Sequence, residues 1–514
     1  MNRTTVSLIS AATALAAVTG VAALTAPDDS SGGSRSTAAR LPVERSALLC
    51  PAPSTSDLAE TTYTSFTPKG EGGGSAGQKA GADLLAAEKA AGDEPKDEGK
   101  DKRDQRGKQD RKSAEQKPVV ALKQPGTPVT ATTSDPEAPA LIGTADGALA
   151  PGWSTQQTTV IGSGSGRSVS GMACTAPDSD FWFPGVSTAR DRQDYVHLTN
   201  PDDTTAVVDL EMYGGKGVLK AAAGQEILVP ARSSVPVLLS TVTGERTDGA
   251  ALHVVARAGR VGASVQSADD ERGGDWLPAA ADPSGSAVLP GIPSDATSVE
   301  LVALATGEED ADLKVRLSTP SRPITPAGHE TLNVKSGMTK SVDLGDVTKG
   351  EPGSLVLSPA DGSTSAPFVA ALRVTRGKGD KRETAFIPAT TAIEKRATAA
   401  DNRAKGSVLS LVAPGGTATV KVTSSAGSRG GTTASKTYTV KGGSTLSVAP
   451  PVPPGVKGSY AVTVVRESGG AVHASRMLEL PKGGVPMFTV QTLPDDRGTV
   501  AVPHTSEDLS LLND

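Results

Sequence analysis

Ala206-Val-Val-Asp-Leu-Glu-Met-Tyr213 places an apolar side chain on every second residue, and the pattern returns as Ala311-Asp-Leu-Lys-Val-Arg-Leu317 and Ala418-Thr-Val-Lys-Val-Thr423. A period of two turns one set of side chains toward a core and the other toward water, as in a half-buried β-strand. Turn formers precede each copy: Asn200-Pro-Asp-Asp203, Thr306-Gly-Glu-Glu-Asp310 and Ala413-Pro-Gly-Gly416. Working outward, the copies repeat at a spacing of about 105 residues, and each is read as the first strand of a unit. Val229, Val334 and Val440 correspond, as do Val237, Val342 and Val448. Turns are read between them at Ala231-Arg-Ser-Ser234, Ser336-Gly-Met-Thr339 and Gly442-Gly-Ser-Thr445. A further hairpin is expected at Arg257-Ala-Gly-Arg260, Arg376-Gly-Lys-Gly379 and Arg466-Glu-Ser-Gly469. Phe183-Pro-Gly185 is echoed by Leu289-Pro-Gly291, and Trp276-Leu-Pro-Ala279 by Phe386-Ile-Pro-Ala389.

Short strands with turn signals at this spacing predict an all-β chain of tandem immunoglobulin-like β-sandwiches. The repeats are placed at residues 181–281, 282–399 and 400–507, with a tail at 508–514. Residues 42–180 are read as a related, degraded β unit with candidate strands Val119-Val-Ala-Leu122 and Ser168-Val-Ser-Gly-Met-Ala-Cys174. A chain of 514 residues is too long for a single core. Aromatic residues are 3% of it, so the cores must be built from Val, Leu, Ala and Ile.

The N-terminal unit carries an insertion at 69–117. Gly70 to Gly77 is almost entirely Gly, Ser and Ala, and residues 93–117 hold eight acids and nine bases. Such a segment cannot bury enough apolar surface to offset its ordering entropy, which predicts disorder. Within it, Ala82 to Ala91 has the composition of a short helix.

Arg3 precedes an apolar run from Val6 to about Ala26, followed by a linker at 27–41 that begins Pro27-Asp28-Asp29. That order reads as a secretion signal or, left uncut, as an N-terminal membrane anchor. Either form places the rest of the chain outside the cytoplasm. In an exported protein Cys50 and Cys174, each followed by Ala-Pro one residue later, are expected to form a disulfide, the alternative being two buried thiols.

Several strings resemble a known family: Phe181-Trp-Phe-Pro-Gly185, Tyr195-Val-His-Leu-Thr-Asn-Pro-Asp-Asp203, Val207-Val-Asp-Leu-Glu-Met-Tyr-Gly214, Gly147-Ala-Leu-Ala-Pro-Gly152, and Cys50-Pro-Ala-Pro53 with Cys174-Thr-Ala-Pro177. The family is DUF5719, of exported actinobacterial envelope proteins of unknown function. The likeness spans most of residues 42–500 and is strongest from about 140 to 280. It implies location and architecture and brings no catalytic residues. The charged insertion departs from the family pattern.

Candidate chemistry is sparse. The balance of 51 basic and 57 acidic residues argues against a nucleic-acid footprint. His197, His253, His329, His473 and His504 are scattered, and only His197 with His253 could make a metal pair. His329-Glu330 is followed by Asn333 where a zinc-protease helix needs histidine. Gly162-Ser-Gly-Ser-Gly166 has the wrong order for a nucleophile elbow. Gly72-Gly-Gly-Ser-Ala-Gly77 matches a dinucleotide fingerprint in letters only, because no strand precedes it. The acids Asp202-Asp203, Glu308-Glu309-Asp310 and Asp495-Asp496 are read as turn chemistry or weak calcium ligands. Arg257, Arg376 and Arg466 are read as turn residues or as contacts for anionic polymer. Trp153, Phe181, Trp182, Phe183 and Trp276 could form a flat apolar platform for a sugar, or plug cores and inter-domain seams.

These readings imply no enzyme, catalytic residue, metal or cofactor. They favour an exported envelope protein whose β units act as a scaffold or spacer. The alternatives are a cell-wall glycan-binding module and a cryptic hydrolase. The partner is not identified by the sequence. Cell-wall polymer or another envelope protein fits, nucleic acid does not, and the membrane enters through the N-terminal segment alone.

Overall fold

The computed structural model describes residues 39–70, 80–88, 117–164, 166–269 and 272–502. The apolar N-terminal run, the Gly-rich stretch, the charged stretch, His504 and the tail lie outside the described residues. Among those described, helix is limited to short turns such as Leu239–Val242, and no helix is long and apolar enough to cross a membrane. Strands dominate, as the alternation requires.

Among the described residues, four two-layered sandwiches share one topology. The second shows it most plainly. Its first sheet orders Asp180–Val186, Ala250–Ala258 and Ala206–Gly214, with the short pieces Gly217–Val218 and Ile227–Val229 on the far edge. Its second sheet orders Ser234–Leu238, Arg192–Thr199, Gly262–Asp269 and Gly273–Leu277. The first sandwich runs from Arg45–Cys50 to Ser168–Ala173, the third from Ala287–Ile292 to Glu383–Pro388, and the fourth from Arg396–Asn402 to Phe488–Leu493. The N-terminal unit is therefore a complete sandwich of the same kind. The strand Arg396–Asn402 runs across residue 400, so the fourth sandwich starts earlier than its sequence pattern suggested.

The alternation is realised in the packing. Ala206, Val208, Leu210 and Met212 are buried in one core, Ala311, Leu313, Val315 and Leu317 in another, and Ala418, Val420 and Val422 in a third. Three expectations need correction. The alternating strand is the third of each sandwich, not the first, because strands such as Asp180–Val186 precede it. Arg376-Gly-Lys-Gly379 follows the strand Phe368–Arg376, one hairpin later than the turns at Arg257 and Arg466. Residues 82–86 belong to the strand Gly81–Ala86, not a helix, and this strand lies inside the stretch read as disordered. Its sheet pairs Leu84 with both Gly143 and Val120, and that pairing overrides the helical preference of an Ala/Leu/Glu run.

The sandwiches do not string out as separate modules. Pro42–Thr499 is one compact body. The first sheet of each sandwich packs on the second sheet of the next, and that of the fourth packs on the second sheet of the first. The four final strands, Ser168–Ala173, Gly273–Leu277, Glu383–Pro388 and Phe488–Leu493, touch one another in a closed cycle. Phe386 of the third sandwich joins the core of the second, and Phe488 and Val490 of the fourth join the core of the third. Ala39–Pro42 and Thr499–Val502 pair as a two-stranded sheet.

Candidate functional site

The ring leaves a large groove between its first and second sandwiches, with a cavity of about 1090 Å³. One wall is the outer face of the second sandwich's second sheet. Along Arg192–Thr199 the side chains of Val196 and Leu198 enter the core, which turns Gln193, Tyr195 and His197 outward. Tyr195 lies opposite Gln266, and Gln266 opposite Trp276, so these residues share that face. Pro53, Ala87, Glu88 and Pro136 to Ala140 of the first sandwich form the other wall. The Gln266 side-chain amide spans the gap to the Pro53 carbonyl at 3.4 Å.

His197 is the chemically least settled group in the groove. It is 8% exposed, and neither ring nitrogen has a partner in full hydrogen-bond geometry, although the Gln266 side chain is placed to interact with the ring. Its ring stands edge-on to Trp276 with centroids 5.2 Å apart. Burial drives its pKa down to about 4, against a smaller opposing effect from the Gln266 side chain, so the imidazole is neutral at physiological pH. Among the described residues no Lys or Arg lines the groove, whereas Glu88, Glu137, Asp269 and Asp275 do.

The floor of the groove reaches the centre of the ring. Asp275 Oδ1 accepts hydrogen bonds from the Gly171 amide at 2.9 Å, the Trp276 amide at 2.8 Å and the Thr489 hydroxyl at 3.1 Å, which ties three sandwiches together. Glu383 of the third sandwich accepts from the Val169 amide of the first at 3.2 Å. Burial holds the Asp275 carboxyl well above the ordinary range and pushes Glu383 up to about 8, with the neighbouring Asp275 adding to the Glu383 shift. Arg476 of the fourth sandwich donates to Gln156 of the first at 2.9 Å, and the same Gln156 oxygen accepts from the Asp401 amide at 2.7 Å. Burial lowers the Arg476 pKa to about 10. These groups fasten the sandwiches to one another through Asp275 Oδ1, one Glu383 oxygen and one Arg476 nitrogen, while Asp275 Oδ2, Glu383 Oε2 and Arg476 Nε and Nη1 are buried without a partner.

The Cys50–Cys174 disulfide is formed, with the Cα atoms 4.6 Å apart. It joins the first and last strands of the first sandwich. The five aromatic residues share no surface. Trp153 is in the first core with its indole N–H on Ser65 Oγ at 2.8 Å, and Phe181 and Phe183 are in the second core. Trp182 lies in the seam to the third sandwich beside Leu304 and Val369, and Trp276 lies behind His197. His253 stacks on Trp182 at 3.6 Å and hydrogen-bonds Asp180 at 2.9 Å. His197 and His253 project from different sheets of one sandwich, away from its core on opposite sides, and cannot share a metal. No group of three or more potential metal-ligating side chains occurs among the described residues. Arg257 pairs with Asp209, Arg376 with Asp295 and Glu479, and Arg466 with the carbonyls of Ile393 and Glu394. Asp202 pairs with Arg260, Asp203 with Arg232 and Asp496 with Arg396.

Sequence reasoning singled out His197 and missed Tyr195, Gln266, Asp275, Glu383 and Arg476. Their strands read as ordinary alternation, and nothing local reveals that another sandwich covers the outer faces. The one available signal was the recurrence of Trp276-Leu-Pro-Ala279 as Phe386-Ile-Pro-Ala389, which marks the strands at the ring centre.

The model of the family of unknown function DUF5719 matches residues 129–451. No curated protein matches the chain. The match covers more than half of the chain, which belongs to this family.

Proposed function

We propose that this DUF5719 member is a non-enzymatic protein of the cell envelope, exported from the cytoplasm, whose four sandwiches form a scaffold that presents a binding groove to a partner outside the membrane. The observation that carries the reading is the closed ring with a deep cleft at one of its joints. Such a cleft is held open by the packing of the whole body, and concave sites between domains are where ligands most often bind. The Cys50–Cys174 bridge supports an oxidising compartment. The apolar run from Val6 to Ala26 supports export.

Fractionation of cells producing the full chain, followed by pull-down from the envelope fraction, tests this reading. The expected result is oxidised protein outside the cytoplasm that retains an envelope polymer or protein. Recovery from the cytoplasm with Cys50 and Cys174 as free thiols would contradict it, as would the absence of any retained partner.

A further inference from the structure

We infer that the groove between the first and second sandwiches binds a neutral, polyhydroxylated ligand of oligosaccharide size, with His197, Gln193 and Gln266 as its hydrogen-bonding groups and Tyr195 as its apolar face. The inference rests on the reading of the chain as a binding protein and names the ligand class. Charge comes first. Among the described residues, an anionic ligand would meet a lining without Lys or Arg and with four carboxylic acids, Glu88, Glu137, Asp269 and Asp275. A cationic ligand fares no better. Asp275 is tied to backbone amides at the ring centre, and Glu88, Glu137 and Asp269 already have interaction partners within the protein. Neutral donors and acceptors remain, which suits hydroxyl groups.

His197 supplies the independent sign of a missing partner. A buried imidazole whose nitrogens lack a partner in full hydrogen-bond geometry costs free energy unless something bonds it. It lines the cavity, and as a neutral ring it offers one donor and one acceptor, the pairing that a sugar hydroxyl complements. Tyr195 and Pro236 add flat apolar area for the faces of pyranose rings. The cavity of about 1090 Å³ lies at the upper end of small-molecule sites and suits several linked rings better than one.

Calorimetric titration of the full chain with cellohexaose and chitohexaose as neutral probes, and with inorganic phosphate and hexalysine as charged ones, tests the inference. A neutral hexasaccharide should bind. Tyr195→Ala, Gln193→Ala and His197→Leu should each weaken it about tenfold or more, whereas Trp182→Phe, in a different seam, should leave it unchanged. If His197→Leu does not fold, the two partly exposed positions Tyr195 and Gln193 still decide the matter. Failure of both hexasaccharides to bind would overturn the inference. So would affinity within twofold of the parent in Tyr195→Ala and Gln193→Ala, or displacement of the sugar by phosphate or hexalysine. The two readings fail separately. Release of new reducing ends would end the non-enzymatic reading and leave the ligand class standing, and a retained envelope partner without sugar binding would do the reverse.

Discussion

Glu383 and His197 titrate in opposite senses, and together they give the protein a characteristic dependence on pH. Glu383 has an ordinary pKa of 4.5 and holds its proton to about 8 in the folded chain. Between those values the unfolded chain has released a proton that the folded chain keeps, so stability falls as pH rises. His197 falls from 6.5 to about 4 on folding, so its stabilising contribution is complete above 6.5 and is lost as pH drops toward 4. The two slopes oppose each other between 4.5 and 6.5, and only the acid's slope remains from 6.5 to 8. Thermal unfolding should therefore show a melting temperature that declines from pH 6.5 to 8. Glu383→Gln should make that decline shallower, though Asp275, raised for the same reason, will keep some of it. A Glu383→Gln profile parallel to the parent's would refute this assignment. None of this was legible in the sequence. Glu383 stands in Arg382-Glu-Thr-Ala-Phe386, where alternation marks a face but cannot say that the face meets three other sandwiches and no water.

Strands and their irregularities were more legible. The Pro-Gly pairs of Phe183-Pro-Gly185 and Leu289-Pro-Gly291 sit at matching register shifts in the first strands of the second and third sandwiches. Gly185 and Gly291 have φ of 99° and 95°, a region in which side chains are strained. Their surroundings differ. A Cβ on Gly185 would meet nothing within 4 Å, whereas one on Gly291 would lie 2.0 Å from Ser475 Oγ of the fourth sandwich. Denaturant unfolding should show Gly185→Ala losing about 1–3 kcal/mol from backbone strain and Gly291→Ala losing more. Equal losses would mean that the contact to the fourth sandwich is not made. The recurrence of the motif was visible in the chain, but the neighbour that distinguishes the copies was not. The disulfide belongs to this scale as well, because it ties the first and last strands of one sandwich. Cys50→Ser with Cys174→Ser should cost about 2–5 kcal/mol in the same assay, and a loss below about 0.5 kcal/mol would contradict a structural role. The insertion shows where local reading fails. Ala82-Asp-Leu-Leu-Ala86 looks helical alone, and becomes a strand because pairing partners wait on both sides, at Gly143 and Val120.

The sandwich repeat follows from period-two patterning and turn chemistry, both local properties that a single chain displays. Closure of the repeats into a ring depends on which outer faces find a neighbour, and the outer faces of these second sheets carry Gln, Ser, Tyr and His that would sit equally well in water. The groove is a product of that closure, so its residues were legible only as isolated letters. Pro42–Thr499 thus folds as one closed body and not as a string of modules. Small-angle X-ray scattering on this fragment tests it most directly. A closed ring predicts a radius of gyration near that of a compact body of this length, about 23 Å, with a single maximum in the distance distribution. A radius far above that value, with a long tail of distances between separated sandwiches, would contradict it.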